Sequence, residues 1–300
     1  MLNIIKEYYF DICRPIIKKE IPYILDCLAV GLVGEGSECF GYNDELSEDH
    51  DFGLRLYFWL NEKDEKSYGE ELRNTIELFP KEYKGYKTIN TRTGVFKIDD
   101  FYTNILNSDL PKNDIQWDKI EEHKFALCTN GLIFEDNLGE FTRYRNVFLN
   151  GHPHNVKHKK IGEQLLVAGQ TGQYNFLRSR IRKDNQLSYF CKAKYAESTA
   201  NLIYLLNNKY RPFYKWLFRG LLDLDILGKQ VSKLIDDLFI ESDIEKELKI
   251  IEEIAILIIN ELKIQGYSNI DSNFLIDHCS CVLSKIDNID LIKDGIQIKV

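Results

Sequence analysis

The sequence predicts an α+β protein, with a small mixed-sheet domain over residues 1–150 and an all-α helical domain over residues 151–300. Two observations predict this class. Short apolar runs typical of strands occur only in the first half, whereas apolar residues recur at helical spacing throughout the second half. A polar stretch, "NGHPHNVKHKK", separates the halves and is typical of a linker.

The predicted elements follow from local patterns. Apolar residues at helical spacing run from Leu2 to Leu28, and Pro15 and Pro22 are expected to break this helical run. The segments "LAVGLVG" and "FGLRLYFWL" predict strands, a helix is expected over 67–78, and "TGVFKID" and "GLIFED" complete a small sheet. The second half predicts helices over 158–168, 186–207, 213–222, 226–239, 243–264 and 272–285.

Composition narrows the classes of function. The formal charge of −8 disfavours a nucleic-acid partner, because counterion release needs a basic face. Charges within the first residues do not fit a secretory signal, and the longest apolar run, "IAILII", is too short to span a bilayer. The odd number of cysteines, seven, fits reduced thiols. We therefore expect a cytoplasmic protein without a membrane partner.

A glycine-rich segment follows the first predicted strand. Gly34 and Gly36 allow a sharp turn and a close approach of the backbone to a ligand, and Ser37 can begin a helix. Free N–H groups at such a position bind phosphate oxygens. We expect this loop to lie outside both cores, so that Gly36→Val would remove nucleotide binding and leave stability nearly unchanged. Glycine and serine between two strands also form ordinary turns.

Two aspartates precede the second predicted strand. Asp49 and Asp51 are two residues apart, so on a strand both side chains would point to one face. Two carboxylates on one face bind a hard cation, and Mg²⁺ (or Mn²⁺) combines such carboxylates with the phosphates of a nucleoside triphosphate. The acidic run "NDELSEDHD" also suits a solvated loop.

These residues resemble a known signature. Gly36-Ser37, eleven intervening residues and Asp49-x-Asp51 resemble the motif of the DNA polymerase β-like nucleotidyltransferase superfamily. The segments "VGEGSECFGYNDELSEDHDFG", "LGEFTRYR", "GQYNFLRSRIR" and "RPFYKWLFRGL" together resemble the bacterial domain of unknown function 4037 group. The resemblance implies a nucleotidyltransferase domain followed by a helical domain.

The resemblance also implies a third carboxylate that deprotonates the attacking hydroxyl. Asp99 is the candidate, with Asp100 next to it, although both also suit the first turn of a helix. Arg178, Arg182 and Lys215 in the second domain are candidate contacts to the triphosphate, and they also suit a solvated basic face.

The sequence thus predicts an Mg²⁺-dependent nucleotidyltransferase. It would move AMP from ATP, or another nucleoside monophosphate, to a hydroxyl of a small-molecule or protein acceptor. A catalytically inactive nucleotide-binding regulatory module and a component of a toxin–antitoxin pair are the alternatives. The acceptor and the oligomeric state do not follow from the sequence.

Overall fold

The computed structural model describes residues 1–43, 53–89 and 93–293. The predicted metal ligands Asp49 and Asp51 lie outside the described residues. The strands are β1 Ala29–Leu32, β2 Tyr57–Leu60, β3 Glu82–Tyr83, β4 Tyr86–Lys87, β5 Gly94–Lys97 and β6 Leu132–Asp136. The first eight helices are α1 Leu2–Tyr8, α2 Arg14–Glu20, α3 Ser37–Phe40, α4 Glu62–Ile76, α5 Ile98–Leu106, α6 Asp114–Lys119, α7 Glu122–Thr129 and α8 Glu140–Leu149.

Contacts divide the chain into two compact units. The first unit comprises Met1–Leu110 with Lys124–Asn150, and the second comprises Pro111–His123 with Gly151–Val300. All described strands belong to the first unit, and the described elements between residues 151 and 293 are helices. The predicted mixed α+β class is confirmed.

The four-stranded sheet of the first unit has the order β5-β2-β1-β6. The central strand β1 pairs antiparallel with β2, where Gly31 lies opposite Tyr57, and antiparallel with β6. The strands β2 and β5 are parallel, and Tyr57 lies opposite Gly94. Residues that follow β1 therefore lie at the end of the sheet where β2 and β5 begin, and residues that follow β5 lie at the opposite end of the strands.

Each face of this sheet has its own packing. On one face Val30 and Phe58 belong to a buried cluster with residues of the amino-terminal helices and of α4. On the other face Trp59 stacks on Phe141 of α8, with the ring centroids 3.9 Å apart, and contacts Phe101 of α5 at 5.1 Å. This alternation along β2 agrees with the period of two that predicts a strand.

The amino-terminal helical run differs from the prediction at Pro15. Helical backbone continues from α1 through a π-helical turn, Tyr9–Cys13, into α2 without a break. Pro15 lacks an N–H group and interrupts the hydrogen bonds of a regular helix. Here it lies in the first turn of α2, directly after the π-helical turn, where an N–H group is not needed for an α-helical bond. Pro22 begins a separate 3₁₀ turn.

The second unit is built on helices that enclose one apolar core. They continue with α9 His154–Ala168, α10 Leu177–Ile181, α11 Asn185–Leu206, α12 Leu217–Leu221, α13 Gly228–Ile240, α14 Ile244–Ile264, α15 Leu275–Leu283 and α16 Ile289–Lys293. The long helix α11 packs against α9, α13 and α14. The helix α9 begins at His154, directly after Pro153, so most of the predicted linker is helical. Pro153 precedes the first helical residue, so its missing N–H group removes no hydrogen bond from α9.

No helix among residues 1–43, 53–89 and 93–293 combines the length and the apolar composition that crossing a bilayer requires.

Candidate functional site

The glycine loop lies at the end of the central strand. β1 ends at Leu32, and the one-turn helix α3 begins at Ser37. Between them Gly34 has φ +107° and Gly36 has φ +118°, in the region that favours glycine. The predicted loop residues Gly36 and Ser37 therefore lie where the chain turns sharply after the carboxyl end of β1.

A side chain from a distant part of the chain holds the loop in place. The Gly34 N–H donates to Oδ1 of Asn130 at 2.7 Å, and Nδ2 of Asn130 donates to the Gly34 carbonyl at 2.7 Å. Arg145 of α8 fixes the segment around Asn130, because its Nη2 donates to the Thr129 carbonyl at 2.6 Å and the Gly131 carbonyl at 3.3 Å. The backbone of the loop is thus fixed from two layers of side chains.

A buried arginine lies beneath the loop. Arg55 has no solvent-exposed surface. Its Nη2 is 2.7 Å from Oε1 of Glu38 and donates to the Glu35 carbonyl. The same nitrogen lies 3.8 Å from Sγ of Cys39, and burial raises the pKa of that thiol to about 12. One guanidinium group therefore joins the segment before β2 to Glu35 in the loop and to Glu38 and Cys39 in α3.

Gly36 directly contacts this buried ion pair. A Cβ atom at residue 36 would lie 2.1 Å from Nη2 of Arg55 and 2.4 Å from Oε2 of Glu38. Such distances require the ion pair to move. The expectation that Gly36→Val would leave stability unchanged is therefore wrong, because the loop lies against a buried charged pair and not outside the packed interior.

The pairing of the strands determines what lies next to the loop. Because β1 and β2 are antiparallel, the loop after β1 lies beside the residues that enter β2, and the contact of Arg55 with Glu35 shows this proximity. Asp51 comes four residues before Arg55 in the sequence, and Asp49 six residues before it. Among the described residues, no group of three or more histidine, cysteine or acidic side chains could hold a metal ion.

The structure does not bring Asp99 together with Gly36 and Ser37. Asp99 and Asp100 lie in the first turn of α5, which follows the carboxyl end of β5. The loop lies at the opposite end of the strands, where β5 begins. Six residues of helix, about 9 Å at 1.5 Å per residue, separate Asp99 from Ile105, whose side chain would lie 3.7 Å from a Cβ placed on Gly34.

Asp99 has its own surroundings at the carboxyl end of β5. The neighbouring carboxylate of Asp99 raises the pKa of the Tyr144 hydroxyl. Asp100 forms a 2.9 Å ion pair with Lys97. Asp99 also lines a cavity of 370 Å³, together with Asn61, Glu62, Lys63, Ile98, Glu140, Arg143 and Tyr144. These contacts fit the first turn of a helix, which was the alternative interpretation of both aspartates.

The three predicted cations of the second unit are exposed. The Arg178 guanidinium lies over the ring of Tyr174, 3.9 Å from its centroid. Arg182 directly follows α10, and its backbone N–H donates to the Arg178 carbonyl at 3.1 Å. Lys215 lies in a separate 3₁₀ turn, with its Nζ 5.3 Å from the centroid of the Trp216 ring. A role for these cations in nucleotide binding stays a prediction.

Sequence reasoning did not select Arg55, Glu38 or Asn130. Arg55 carried a signal, because it is the only charged residue in the apolar run "FGLRLYFWL" and a buried strand carries a charge only with a partner. Asn130 carried no comparable signal, since its contact with Gly34 joins positions 96 residues apart.

The comparisons with known proteins concern the middle of the chain. The family model described as "Domain of unknown function (DUF4037)" matches residues 117–217. The matched segment contains "LGEFTRYR", "GQYNFLRSRIR" and the first part of "RPFYKWLFRGL", and it does not include the glycine loop. No curated protein matches the chain. The chain is therefore similar to the DUF4037 family over residues 117–217.

Proposed function

We propose that the first unit is a metal-dependent nucleotidyltransferase domain of the DNA polymerase β-like type, followed by a helical domain. It transfers a nucleoside monophosphate, AMP from ATP, to a hydroxyl of a small-molecule or protein acceptor. One observation carries the proposal. The glycine loop at the end of β1 lies beside the entry of the antiparallel strand β2, and the sequence places Asp49-x-Asp51 directly before that entry.

The loop has the features that phosphate binding needs. Gly36 stands at the amino end of α3 and brings no capping side chain. The positive φ angles of Gly34 and Gly36 hold the backbone in a fixed turn, and the hydrogen bonds to Asn130 keep that turn in place. A pre-organised loop of this kind binds phosphate oxygens through backbone N–H groups without paying to order the chain.

The metal ligands of the proposal are Asp49 and Asp51. Their carboxylate oxygens are hard donors, and this donor set fits Mg²⁺, which takes one or two protein carboxylates together with phosphate oxygens. When bound there, the cation would neutralise phosphate charge during the displacement. The protein would position the triphosphate through Gly36 and Ser37.

The proposed reaction balances as a single displacement. The acceptor hydroxyl oxygen attacks the α-phosphorus, and a new phosphoester bond forms. The bond between the α-phosphorus and the bridging oxygen breaks, and pyrophosphate leaves with that oxygen. The hydroxyl proton passes to a base or to solvent.

A regulatory module that binds a nucleotide without catalysis is the second candidate. The observation that favours it is the acid-free chain from Tyr83 to Ile98, which includes β5, the parallel neighbour of β2. A third carboxylate would be expected on such a neighbouring strand. Asp99 does not supply this third carboxylate, because it follows the carboxyl end of β5, whereas the glycine loop lies where β5 begins.

Two measurements decide between these functions. Calorimetry with ATP, GTP, CTP and UTP, each with Mg²⁺ and with a chelator, tests binding. We expect metal-dependent binding in the wild type and in Asp109→Asn, an exposed control in the same unit, and none in Asp49→Asn or Asp51→Asn. Binding that does not change in chelator would exclude the metal role.

Labelled ATP incubated with fractions of a cell extract then tests transfer. A labelled adduct together with released pyrophosphate supports the transferase, and both products should disappear in Asp51→Asn. Metal-dependent binding without either product in any fraction would leave the regulatory module as the better account.

A further inference from the structure

We infer that Arg55 makes the glycine loop an anion-binding site by cancelling the charge of Glu38 behind it. This inference rests on the proposed function, since it concerns the same loop. Arg55 acts here as a positioning residue: it has no exposed surface and contacts the loop and α3.

The charge of the loop itself creates the need for this arginine. Between Val33 and Phe40 the two charged side chains are Glu35 and Glu38, both acidic. Glu38 is buried, with 7% of its surface exposed. An unpaired carboxylate at this position would repel phosphate oxygens, and the buried location would weaken the screening of that repulsion by water and salt.

The guanidinium of Arg55 has donors left beyond its ion pair. Its contacts with Glu35, Glu38 and Cys39 all use Nη2. Its Nε and Nη1 are buried, and neither has a hydrogen-bond partner within the part of the chain that the structure describes. A buried donor without an acceptor is costly, and the remaining positive potential favours a nearby anion.

The guanidinium charge of Arg55 lies close to the loop backbone that would bind the phosphate groups. Nη2 would lie only 2.1 Å from a Cβ on Gly36, so the guanidinium packs directly against the loop backbone. The charges of Arg55 and Glu38 therefore act on phosphate groups bound by that backbone at short range. At an effective dielectric constant of about 20, one unit charge at this range changes an affinity by about tenfold or more.

The experiment compares three variants: Glu38→Gln, Arg55→Met and the double variant. The quantity measured is the ratio of the dissociation constants of AMP and ATP in Mg²⁺, because AMP lacks the β- and γ-phosphates that the loop would hold. Glu38→Gln leaves the positive charge of Arg55 and should raise the ratio about tenfold. Arg55→Met leaves the negative charge of Glu38 and should lower it by a similar factor, and the double variant should stay near the wild type.

A purely structural role of the ion pair gives a different pattern. Both single variants would then lower ATP affinity, and the double variant would not recover it. That pattern, or a ratio that no variant changes, would overturn the inference. If Arg55→Met does not fold, Glu38→Gln and the double variant still decide, because the ratio should rise in the first and stay near the wild type in the second, with thermal unfolding as the control for folding.

Inorganic tripolyphosphate separates this inference from the proposed function. If the wild type binds neither ATP nor tripolyphosphate, the loop is not a phosphate site, and both the function and the inference fail. If the wild type binds both ligands and the variants do not follow the predicted order, only the role of Arg55 fails.

Discussion

Substitution of Gly36 tests whether the glycine loop belongs to the packed interior of the first unit. Gly36 has φ +118° and ψ 145°, a conformation that costs a residue with a side chain about 1–3 kcal/mol. A Cβ would also displace Nη2 of Arg55 or Oε2 of Glu38 from positions 2.1 and 2.4 Å away. Disruption of a buried ion pair costs about 3–5 kcal/mol when one charge loses its partner.

We therefore expect Gly36→Val to lower the free energy of unfolding by at least about 3 kcal/mol. Gly41→Ala is the control: Gly41 directly follows α3 with φ +74°, and a Cβ there meets nothing within 4 Å. Its expected cost is only the left-handed backbone, about 1–2 kcal/mol. Urea unfolding followed by circular dichroism measures both variants, and equal midpoints for the two would refute the close contact of Gly36 with the ion pair.

Three further predictions concern side chains around the site and in the second unit. Asn130→Ala removes both hydrogen bonds to Gly34 and should lower stability by about 1–3 kcal/mol and weaken ATP binding, as urea unfolding and calorimetry can show. Asp99→Asn should keep nucleotide binding and turnover, and a loss of turnover of about 10²-fold would make Asp99 the base after all. For Glu122, burial raises the pKa, but the charge of a protonated His152, whose Nε2 lies 3.8 Å from Oε1 of Glu122, outweighs it, so the folded-state pKa lies below the ordinary 4.5, at about 2. The stability it contributes is present above pH 4.5 and lost as the pH falls toward 2, so Glu122→Gln should flatten the pH dependence of unfolding in that window.

Local patterns in the sequence were enough to predict most of the sheet. The alternation in "FGLRLYFWL" predicts β2 because one face of that strand joins an apolar cluster and the other packs against Phe101 and Phe141. The glycines at the end of β1 predict a sharp turn, and Gly34 and Gly36 do adopt positive φ angles. These predictions need only the side chains of the segment itself.

Contacts between distant segments could not be predicted in the same way. Nothing near Asn130 indicates that it would bind Gly34, because that contact depends on the register between β1 and β6. Whether Asp99 belongs to a strand or to a helix depends on where β5 ends, and β5 ends at Lys97, directly before α5 begins at Ile98. The end of the sheet at which a residue lies depends on strand direction, and local composition does not encode strand direction.

The sheet order also determines which fragments of this chain can fold. The central strand β1 is complete after 32 residues, yet its second neighbour, β6, is made only at residues 132–136. During synthesis about 100 further residues would therefore be added before β6 can pair with β1. Until then the backbone hydrogen-bonding groups on one side of β1 are unpaired, and such a strand can associate with other chains. A fragment that ends at Leu110 would also lack Asn130 and Arg145, so a recombinant first unit should extend through Asn150.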